Sequence, residues 1–386
     1  MAGVLIRGGS LIDGTDGPAT DPPVLFIKAG KIEAVGREAE IRVREADQMI
    51  DCRGQTLLPG LIDCHNHLCM DPTLPDYLHR MNDSLPELTL RAATNMSLDL
   101  QSGVTTSRCL GDRGFLDVEC KKAVAAGKIP GPRLLVATRG IRAPHGHGFV
   151  GYPFSGVEQI RLAVRENLAA GADLIKIFIT GTLRSPRGIL HYFSRAEIQT
   201  VVEEAHRVGV PVATHCIGGP GFKLAIESGI DFIEHGYFIS EEEIELLGRS
   251  KSILVMTPSI FFTDARIRNL PADLIEGHFR QREEVGRSLA LVIKAGIDYA
   301  VGTDGMHCSL AQEIEHLVAL GASPSSALRA ATATAARVCG MEDAVGTLEK
   351  GKFADLIGVE GDPLLDPGAL KKVRTVIAGG RLVKKD

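Results

Sequence analysis

Eight short, mostly apolar segments recur between residues 60 and 303, and helical stretches separate them. This alternation is typical of parallel βα units, in which each helix returns the chain to the same end of the sheet. Most segments are continuous apolar runs, as expected of strands covered on both faces. Eight units in about 290 residues match the size of an α/β fold of the (β/α)8 TIM-barrel type. The predicted strands are 60–67, 104–109, 133–138, 174–179, 210–215, 232–235, 253–257 and 299–303.

Both ends of the chain carry short β segments instead of βα units. Neither end holds enough apolar surface to form a core alone, so we expect the two ends to pair and to cover each other. The sequence therefore predicts a barrel of residues 59–346 inserted into one small β-sandwich, which residues 1–58 and 347–386 form together. The predicted strands of this sandwich are 4–7, 24–28, 31–35 and 48–51 from the N-terminal end, and 354–359, 373–378 and 381–384 from the C-terminal end.

Local signals mark the ends of two predicted helices. Ser194 followed by Glu197 predicts a capping box at the start of a helix over 194–208. Gly296 predicts the end of a helix over 274–295, because glycine is the residue that most readily adopts the left-handed conformation found just after a helix.

Composition excludes several classes of partner. A net charge of −5 gives no reason to expect nucleic acid or an anionic membrane. No apolar run approaches the roughly 18 residues of a membrane span. The eight cysteines are scattered without a Cys-x-x-Cys pair, which favours reduced thiols over a disulfide framework. We therefore expect a cytoplasmic protein that acts on a small molecule.

Polar residues of the types that bind metals follow strand after strand at the end where active sites of such barrels form. Taken singly, a histidine is more often a structural residue, and Asp304 could cap a helix. A lysine inside the apolar strand 174–179 is a stronger indication, because a buried ammonium is costly unless it is paired or neutralised. Together they predict a metal site, since imidazoles and a carboxylate are ligands that zinc accepts. The candidate ligands are His65, His67, Lys176, His215, His235 and Asp304.

Several ordered motifs resemble the amidohydrolase superfamily, in particular its branch of imidazolonepropionase-related proteins and Xaa-Pro dipeptidases. Residues 58–67 (Leu-Pro-Gly-Leu-Ile-Asp-Cys-His-Asn-His) resemble the family's entry into the barrel, and 346–356 (Gly-Thr-Leu-Glu-Lys-Gly-Lys-Phe-Ala-Asp-Leu) resemble its return to the sandwich. Between them lie 103–106 (Gly-Val-Thr-Thr), 146–148 (Gly-His-Gly), 171–177 (Gly-Ala-Asp-Leu-Ile-Lys-Ile) and 233–236 (Ile-Glu-His-Gly).

This resemblance implies a binuclear metal-dependent hydrolase that cleaves an amide-type bond by attack of a hydroxide bridging two divalent ions, with zinc as the default. Lys176 would carry a carbamate derived from carbon dioxide and bridge the two ions. His65, His67 and Asp304 would hold the more buried ion, and His215 and His235 the other. Asp304 would act as general base and then as general acid towards the departing amine.

Three further residues are candidates for substrate binding. His147 matches a family position beside the scissile carbonyl, where it would stabilise the oxyanion, although a loop-ordering role is the alternative. Tyr237 matches a family position that donates a hydrogen bond to a substrate oxygen. The alternative is a tyrosine packed at the rim of the site. Arg108 would contact a substrate carboxylate or form an internal ion pair. His145 and Phe149 depart from the family's Gly-Gly-His-Gly-Asp, so substrate preference does not transfer directly.

The alternatives concern both mechanism and class. The loop 182–192, with Arg184, Arg187 and His191, is either a gate over an acidic substrate or a solvated loop. A mononuclear deaminase or cyclic-amide hydrolase of imidazolonepropionase type is the first rival, but such relatives generally lack the bridging lysine. An inactive scaffold on the same fold is the second, but such proteins usually lose metal ligands. The candidate substrates are a dipeptide, an N-acyl amino acid, or a xenobiotic amide or carbamate. A homo-oligomer is compatible with the sequence.

Overall fold

The computed structural model describes residues 3–15, 19–41 and 46–386. The predicted segment 1–58 thus includes residues 1–2, 16–18 and 42–45, which lie outside the described residues. The N-terminal end forms six strands: β1 (Gly3–Arg7), β2 (Ser10–Leu11), β3 (Pro23–Lys28), β4 (Lys31–Arg37), β5 (Gln48–Asp51) and β6 (Gln55–Pro59).

Parallel strands dominate the middle of the chain, with one at each of the eight predicted positions. One sheet contains β7 (Leu61–Asn66), β8 (Val104–Cys109) and β9 (Arg133–Val136). The other has the order β11-β10-β12-β13-β14-β15-β16, and its strands are β10 (Ile141–Arg142), β11 (Tyr152–Pro153), β12 (Ile175–Phe178), β13 (Val212–Cys216), β14 (Phe232–His235), β15 (Ile253–Met256) and β16 (Tyr299–Val301). The two-residue strands β10 and β11 were not predicted.

Backbone hydrogen bonds link the two parallel sheets at two places. The Asp173 N–H donates to the Val136 carbonyl over 2.8 Å, which joins the chain entering β12 to β9. On the other side the Asp304 N–H donates to the His65 carbonyl over 2.6 Å, which joins the end of β16 to β7. The carboxyl ends of β7 and β16 therefore lie beside each other.

Helices follow most of these strands and bury apolar faces against them. They are α1 (Leu85–Gln101), α2 (Leu116–Ala125), α3 (Gly156–Ala170), α4 (Arg195–His206), α5 (Pro220–Glu227), α6 (Glu241–Gly248), α7 (Ser259–Phe262), α8 (Asp264–Arg268), α9 (Ala272–Lys294), α10 (Leu310–Ala319), α11 (Pro324–Ala330) and α12 (Ala333–Val338). Single 3-10 turns lie at His79–Asn82 and Pro367–Lys371. Within the described residues, no helix combines the length and the apolarity needed to cross a membrane.

The local helix signals are confirmed. Ser194 and Glu197 form the predicted capping box at the start of α4. The helix α9 ends at Lys294, and Gly296 lies just beyond it with a φ of +68°, which only glycine adopts without strain.

The two ends of the chain share sheets and a core. The C-terminal strands are β17 (Leu356–Glu360), β18 (Val373–Ala378) and β19 (Arg381–Lys385). In the five-stranded sheet β19-β18-β17-β6-β2, the N-terminal strand β6 pairs antiparallel with the C-terminal strand β17, and the four-stranded sheet has the order β4-β3-β1-β5. One buried cluster takes side chains from both sheets, including Ile6, Leu25, Ile27, Leu57, Leu356 and Ile377.

Candidate metal centre and substrate cavity

The six predicted ligands come from five strands of the parallel sheets and from the turns that follow them. His65 lies in β7, Lys176 in β12, His215 in β13 and His235 at the end of β14, whereas His67 and Asp304 lie just beyond β7 and β16. All of them except Lys176 line one cavity, which His147 and Tyr237 also line. The structure therefore brings together residues that are 239 positions apart in the sequence, from His65 to Asp304 (304 − 65).

The Asp304 carboxylate lies close to both His65 of β7 and His67 just beyond it. Its Oδ1 is 3.3 Å from Nε2 of His65 and 3.3 Å from Nε2 of His67. His65, His235 and Asp304 each offer one ligand atom, and these three atoms lie within 4.8 Å of one another. Two of the three residues are buried and Asp304 is partly exposed. This is a cluster of two imidazoles and one carboxylate with the spacing that a divalent ion requires.

The first two histidines are oriented through their other ring nitrogens. His65 Nδ1 is 2.8 Å from the Glu234 carboxylate, and His67 Nδ1 is 2.6 Å from the Gly111 carbonyl. Donation of Nδ1–H to these acceptors leaves Nε2 of each ring with its lone pair towards Asp304. Metal-binding histidines in proteins are held in this way.

The other two histidines have partners of the same kind. His215 Nε2 is 3.0 Å from the Gly181 carbonyl, so donation there leaves Nδ1 as the free ligand nitrogen. His235 Nδ1 is 2.7 Å from Thr257 Oγ1, which leaves its Nε2 free. The ring centroids of His215 and His235 are 4.4 Å apart. The free nitrogens of the two rings are therefore available to the same small region of the cavity.

Lys176 is fully buried, and among the described residues its Nζ has no hydrogen-bond partner. Its nearest aromatic neighbour is Phe178, whose ring centroid is 5.1 Å from Nζ. Burial lowers the pKa of Lys176 to about 8, although the charges of Glu234 and Asp304 oppose the shift. Burial therefore makes the uncharged form of this amine more accessible than that of an exposed lysine.

Burial and mutual repulsion favour the neutral forms of His65, His215 and His235. Desolvation is the main cause of the lowered pKa of His65, His215 and His235, and the charge of Lys176 adds to the shift in all three. Burial alone would raise the pKa of Asp304, but its contacts with His65, His67 and Arg266 hold that pKa well below the ordinary value. Neutral imidazoles beside an ionised carboxylate are the protonation states that a metal ion needs.

Arg108, predicted either to bind a substrate carboxylate or to form an internal ion pair, is not among the described residues that line the cavity. Its guanidinium donates to the Glu234 carboxylate over 2.6 Å and to the Cys64 carbonyl over 2.6 Å, and the side chain is 1% exposed. The physical reason is that Glu234, on the buried strand β14 of the other parallel sheet, requires a cation to compensate its charge. Of the two roles considered, the internal ion pair is the one that the geometry supports.

His147 and Tyr237 both line the cavity, but their side chains differ in exposure and in hydrogen bonding. The His147 ring is half-buried and stacks at 4.5 Å between centroids on the ring of His215. The Tyr237 hydroxyl is 2.6 Å from Thr257 Oγ1 and 3.1 Å from His235 Nδ1, and its side chain is 1% exposed. Tyr237 therefore also supports the histidine His235 from behind, a contact that the sequence does not predict.

The loop 182–192 contributes only Thr182 to the cavity lining. Arg184 forms an ion pair with Glu284 of α9, and His191 Nδ1 is 3.2 Å from the Phe193 carbonyl. These contacts favour the interpretation of a surface loop over that of a gate that binds an acidic substrate.

Arg266 is a residue of this site that the sequence did not identify. Its guanidinium is 1% exposed and donates to the carbonyls of Thr303 and Asp304, each over 2.6 Å. It also lies 3.5 Å from Asp304 Oδ2. Asp304 has a φ of +50°, in the left-handed region that costs free energy for a residue other than glycine. Arg266 therefore holds the turn that presents the Asp304 carboxylate.

Replacement of Arg266 by methionine should lower kcat by about 10²-fold, a loss typical of a group that orients a metal ligand. Arg268→Met is the matched control, because Arg268 lies in the same helix, is mostly exposed and pairs with Asp264. Steady-state kinetics and bound metal would be measured for both variants. Equal, small effects of the two substitutions would contradict the role given to Arg266.

Comparison with known proteins places this architecture and site in a family. The profile of the amidohydrolase family matches residues 56–383. The ochratoxinase of Aspergillus niger is 30% identical over 421 aligned positions, which cover 98% of this chain and 86% of the relative. The imidazolonepropionase of Symbiobacterium thermophilum is 27% identical, with 92% of this chain and 87% of the relative covered. The crystal structure of a Xaa-Pro dipeptidase with bound methionine superimposes with a TM-score of 0.89 at 28% identity, covering 99% of this chain and 100% of the other.

The chain belongs to the amidohydrolase family. It is a hydrolase that acts on carbon–nitrogen bonds. Enzymes of this family act on small molecules and generally use divalent metals. The resemblance inferred from the motifs is confirmed.

Proposed function

We propose that this protein is a binuclear metal-dependent hydrolase that cleaves an amide-type bond in a dipeptide, an N-acyl amino acid, or a xenobiotic amide or carbamate. In this proposal residues 59–346 form a (β/α)8 barrel, and residues 1–58 and 347–386 form a β-sandwich beside it. The observation that carries the proposal is the buried Lys176 Nζ, which has no hydrogen-bond partner in the part of the chain that the structure describes and whose pKa the nearby Asp304 influences.

The donor set fits two divalent ions, with zinc as the default. His65, His67 and Asp304 would hold one ion, and His215 and His235 the other, with Lys176 between them as a bridging anion. The compact group of His65, His235 and Asp304 would also suit a single ion. Lys176 favours two, because a lysine that only needed to be buried would be expected to have an acceptor for its protons.

Lys176 would serve as the bridge after it is carboxylated. Its neutral amine would attack the carbon of carbon dioxide, forming one N–C bond while the electron pair of one C–O π bond moves to oxygen and one proton leaves the nitrogen, so that an uncharged side chain becomes an anionic carbamate. Burial favours the neutral amine that reacts. The buried space around Nζ would then hold an anion, whose charge the metal ions would compensate.

Bound metal ions would polarise the scissile carbonyl and lower the pKa of water. Asp304 would take the proton of the attacking water through its carboxylate and later give it to the departing amine. His147, on the wall of the same cavity, would donate to the oxygen that develops negative charge. Tyr237 would hold His235 through its hydroxyl and could also contact a substrate oxygen.

Metal content per chain tests the proposal directly. Gently purified protein should contain about two equivalents of divalent metal. Elemental analysis gives the number, and chelation followed by reconstitution should abolish and restore amide hydrolysis. A fully active protein with one equivalent would contradict the binuclear mechanism and favour a mononuclear deaminase or cyclic-amide hydrolase.

Substitution of His147 by alanine should lower kcat/KM by about 10²–10³-fold, as expected for the loss of one oxyanion donor, with metal content unchanged. His145→Ala is the matched control, because this neighbouring histidine is exposed and does not line the cavity. An unaltered rate in the His147 variant would assign the residue to loop ordering alone.

A further inference from the structure

The cavity above the metal cluster has a polar floor and an apolar rim. Of the apolar side chains that line the cavity outside the cluster, we call six the collar: Met70, Leu78, Phe149, Val150, Leu270 and Leu274. They come from the chain after β7, from the loop before α3 and from the segment that enters α9. The collar therefore combines side chains from three separate segments of the chain.

Phe149 is the exposed member of the collar. Its side chain is 36% exposed, and its ring packs edge-on against His79 at 5.1 Å between centroids. Val150 and Leu270, by contrast, are buried at 3% and 6% exposure. An exposed aromatic ring on the rim of a cavity is apolar surface that a bound molecule can cover.

The lining offers no free charge. Of the described residues that line the cavity, Arg266 and Asp304 are the Lys, Arg, Asp or Glu side chains, and they lie 3.5 Å apart as an ion pair. The Arg266 guanidinium is further occupied by the carbonyls of Thr303 and Asp304 and by the hydroxyl of Ser259, 3.2 Å away. It is therefore not available to a substrate carboxylate.

Two further groups near the cavity could carry a charge, and among the described residues neither places a charge in the lining. Arg142, at the end of β10, donates to the carbonyls of Ala143 and Pro144 and is outside the lining. His278 of α9 does line the cavity, and its Nδ1 is 2.8 Å from the Leu274 carbonyl, which leaves Nε2 as a hydrogen-bond acceptor. Burial lowers the pKa of His278 to about 4, so this imidazole is uncharged at neutral pH.

We propose that the collar receives an uncharged, apolar group of the substrate. This enzyme therefore prefers neutral amides or carbamates with an aryl or branched alkyl substituent over dipeptides and over other substrates that carry a charge at that position. The proposal rests on the amide hydrolysis proposed above and narrows its substrate class. The reason is that a charge within the collar would lose its hydration without finding a partner. An apolar group there would cover Phe149 and the leucines instead.

Two pairs of amides of nearly equal shape test the preference with the metal-loaded enzyme. 4-Isopropylacetanilide and 4-acetamidobenzoate place a neutral or an anionic group on the amine side of the scissile bond. 4-Isopropylbenzamide and 4-carbamoylbenzoate place the same groups on the acyl side. In the orientation that is cleaved faster, kcat/KM for the isopropyl compound should exceed that for the carboxylate by about 10²-fold. Equal or faster cleavage of the carboxylates would overturn the proposal while leaving amide hydrolysis intact.

A substitution in the collar separates failure of this proposal from failure of the proposed function. Phe149→Asp should weaken the affinity for the isopropyl compound that the wild type binds more tightly by at least about 10-fold, as measured by calorimetry. Leu162→Asp is the matched control, since Leu162 is 59% exposed on α3 and outside the cavity. Binding can be measured without turnover, and therefore also in a protein that cleaves none of the four amides. Equal affinity of the Phe149 variant and the wild type would overturn the proposed role of the collar. Lack of turnover with normal metal content would count against the hydrolysis itself.

Discussion

Lys176→Ala should lose most of its bound metal and lower kcat/KM by more than about 10³-fold, well beyond the 10–100-fold typical of an outer-shell group. The expectation follows from the position of Nζ, which is fully buried and, among the described residues, has no partner. Removal of the side chain leaves a space in which no protein atom replaces a bridging anion. Both proposed ions would lose a ligand at once.

Small anions should partly restore this variant. Acetate, formate or bicarbonate could occupy the space of the carbamate and return part of the metal content and of the rate. Lys223→Ala is the control, because Lys223 is mostly exposed on α5 and should tolerate the change. In the wild type, apo protein reconstituted with 13C-bicarbonate should show a carbamate resonance and regain activity faster than protein kept free of carbon dioxide. A crystal structure with an unmodified Lys176, full metal occupancy and full activity would refute the bridge.

Asp304→Asn should lower kcat by about 10³–10⁴-fold, at the upper end of what loss of a general base causes. The amide has nearly the same shape as the carboxylate, so the contact of Arg266 with the backbone at residues 303 and 304 should persist. What changes is the charge that faces Nε2 of His65 and of His67, each 3.3 Å from Oδ1. Metal affinity should fall as well, because an amide oxygen is a weaker ligand than a carboxylate.

The control for this prediction lies at the opposite end of the same strand. Asp298 immediately precedes β16, is mostly exposed and pairs with Arg337 over 2.9 Å. Asp298→Asn should therefore keep its metal and its rate. Stopped-flow kinetics and elemental analysis of both variants would decide, and an Asp304 variant that is as active as the Asp298 variant would remove Asp304 from the mechanism.

Local sequence signals predicted the elements and the chemistry of the strand ends. The apolar runs mark strands at all eight positions, because strands covered on both faces must be apolar throughout. The capping box at Ser194 involves residues three apart, so its geometry depends on one helical turn alone. The order of His65, His67, Lys176, His215, His235 and Asp304 along the chain follows from the repetition of one βα unit, whose strands all end at the same side.

The partners of buried charges depend on the tertiary structure. Glu234 precedes His235 and could have compensated Lys176, but its two oxygens are bound by Arg108 and His65. The sequence could not predict this, because it joins residues from three strands across more than 120 positions (234 − 108 = 126). That pairing leaves Lys176 without a hydrogen-bond partner among the residues that the structure describes, and it also holds Arg108 outside the cavity lining.

Arg266 illustrates the same limit. In the sequence it lies in Asp-Ala-Arg-Ile-Arg, a charge pattern typical of an exposed helix, and its neighbour Arg268 does form such a surface pair with Asp264. Only the packing of α8 against the turn after β16 buries Arg266 beneath Asp304. The sequence by itself therefore determined which chemical groups stand at the strand ends, because strand periodicity is local. The tertiary structure decided which charges neutralise one another, because in a buried site that depends on distances between residues remote in the chain.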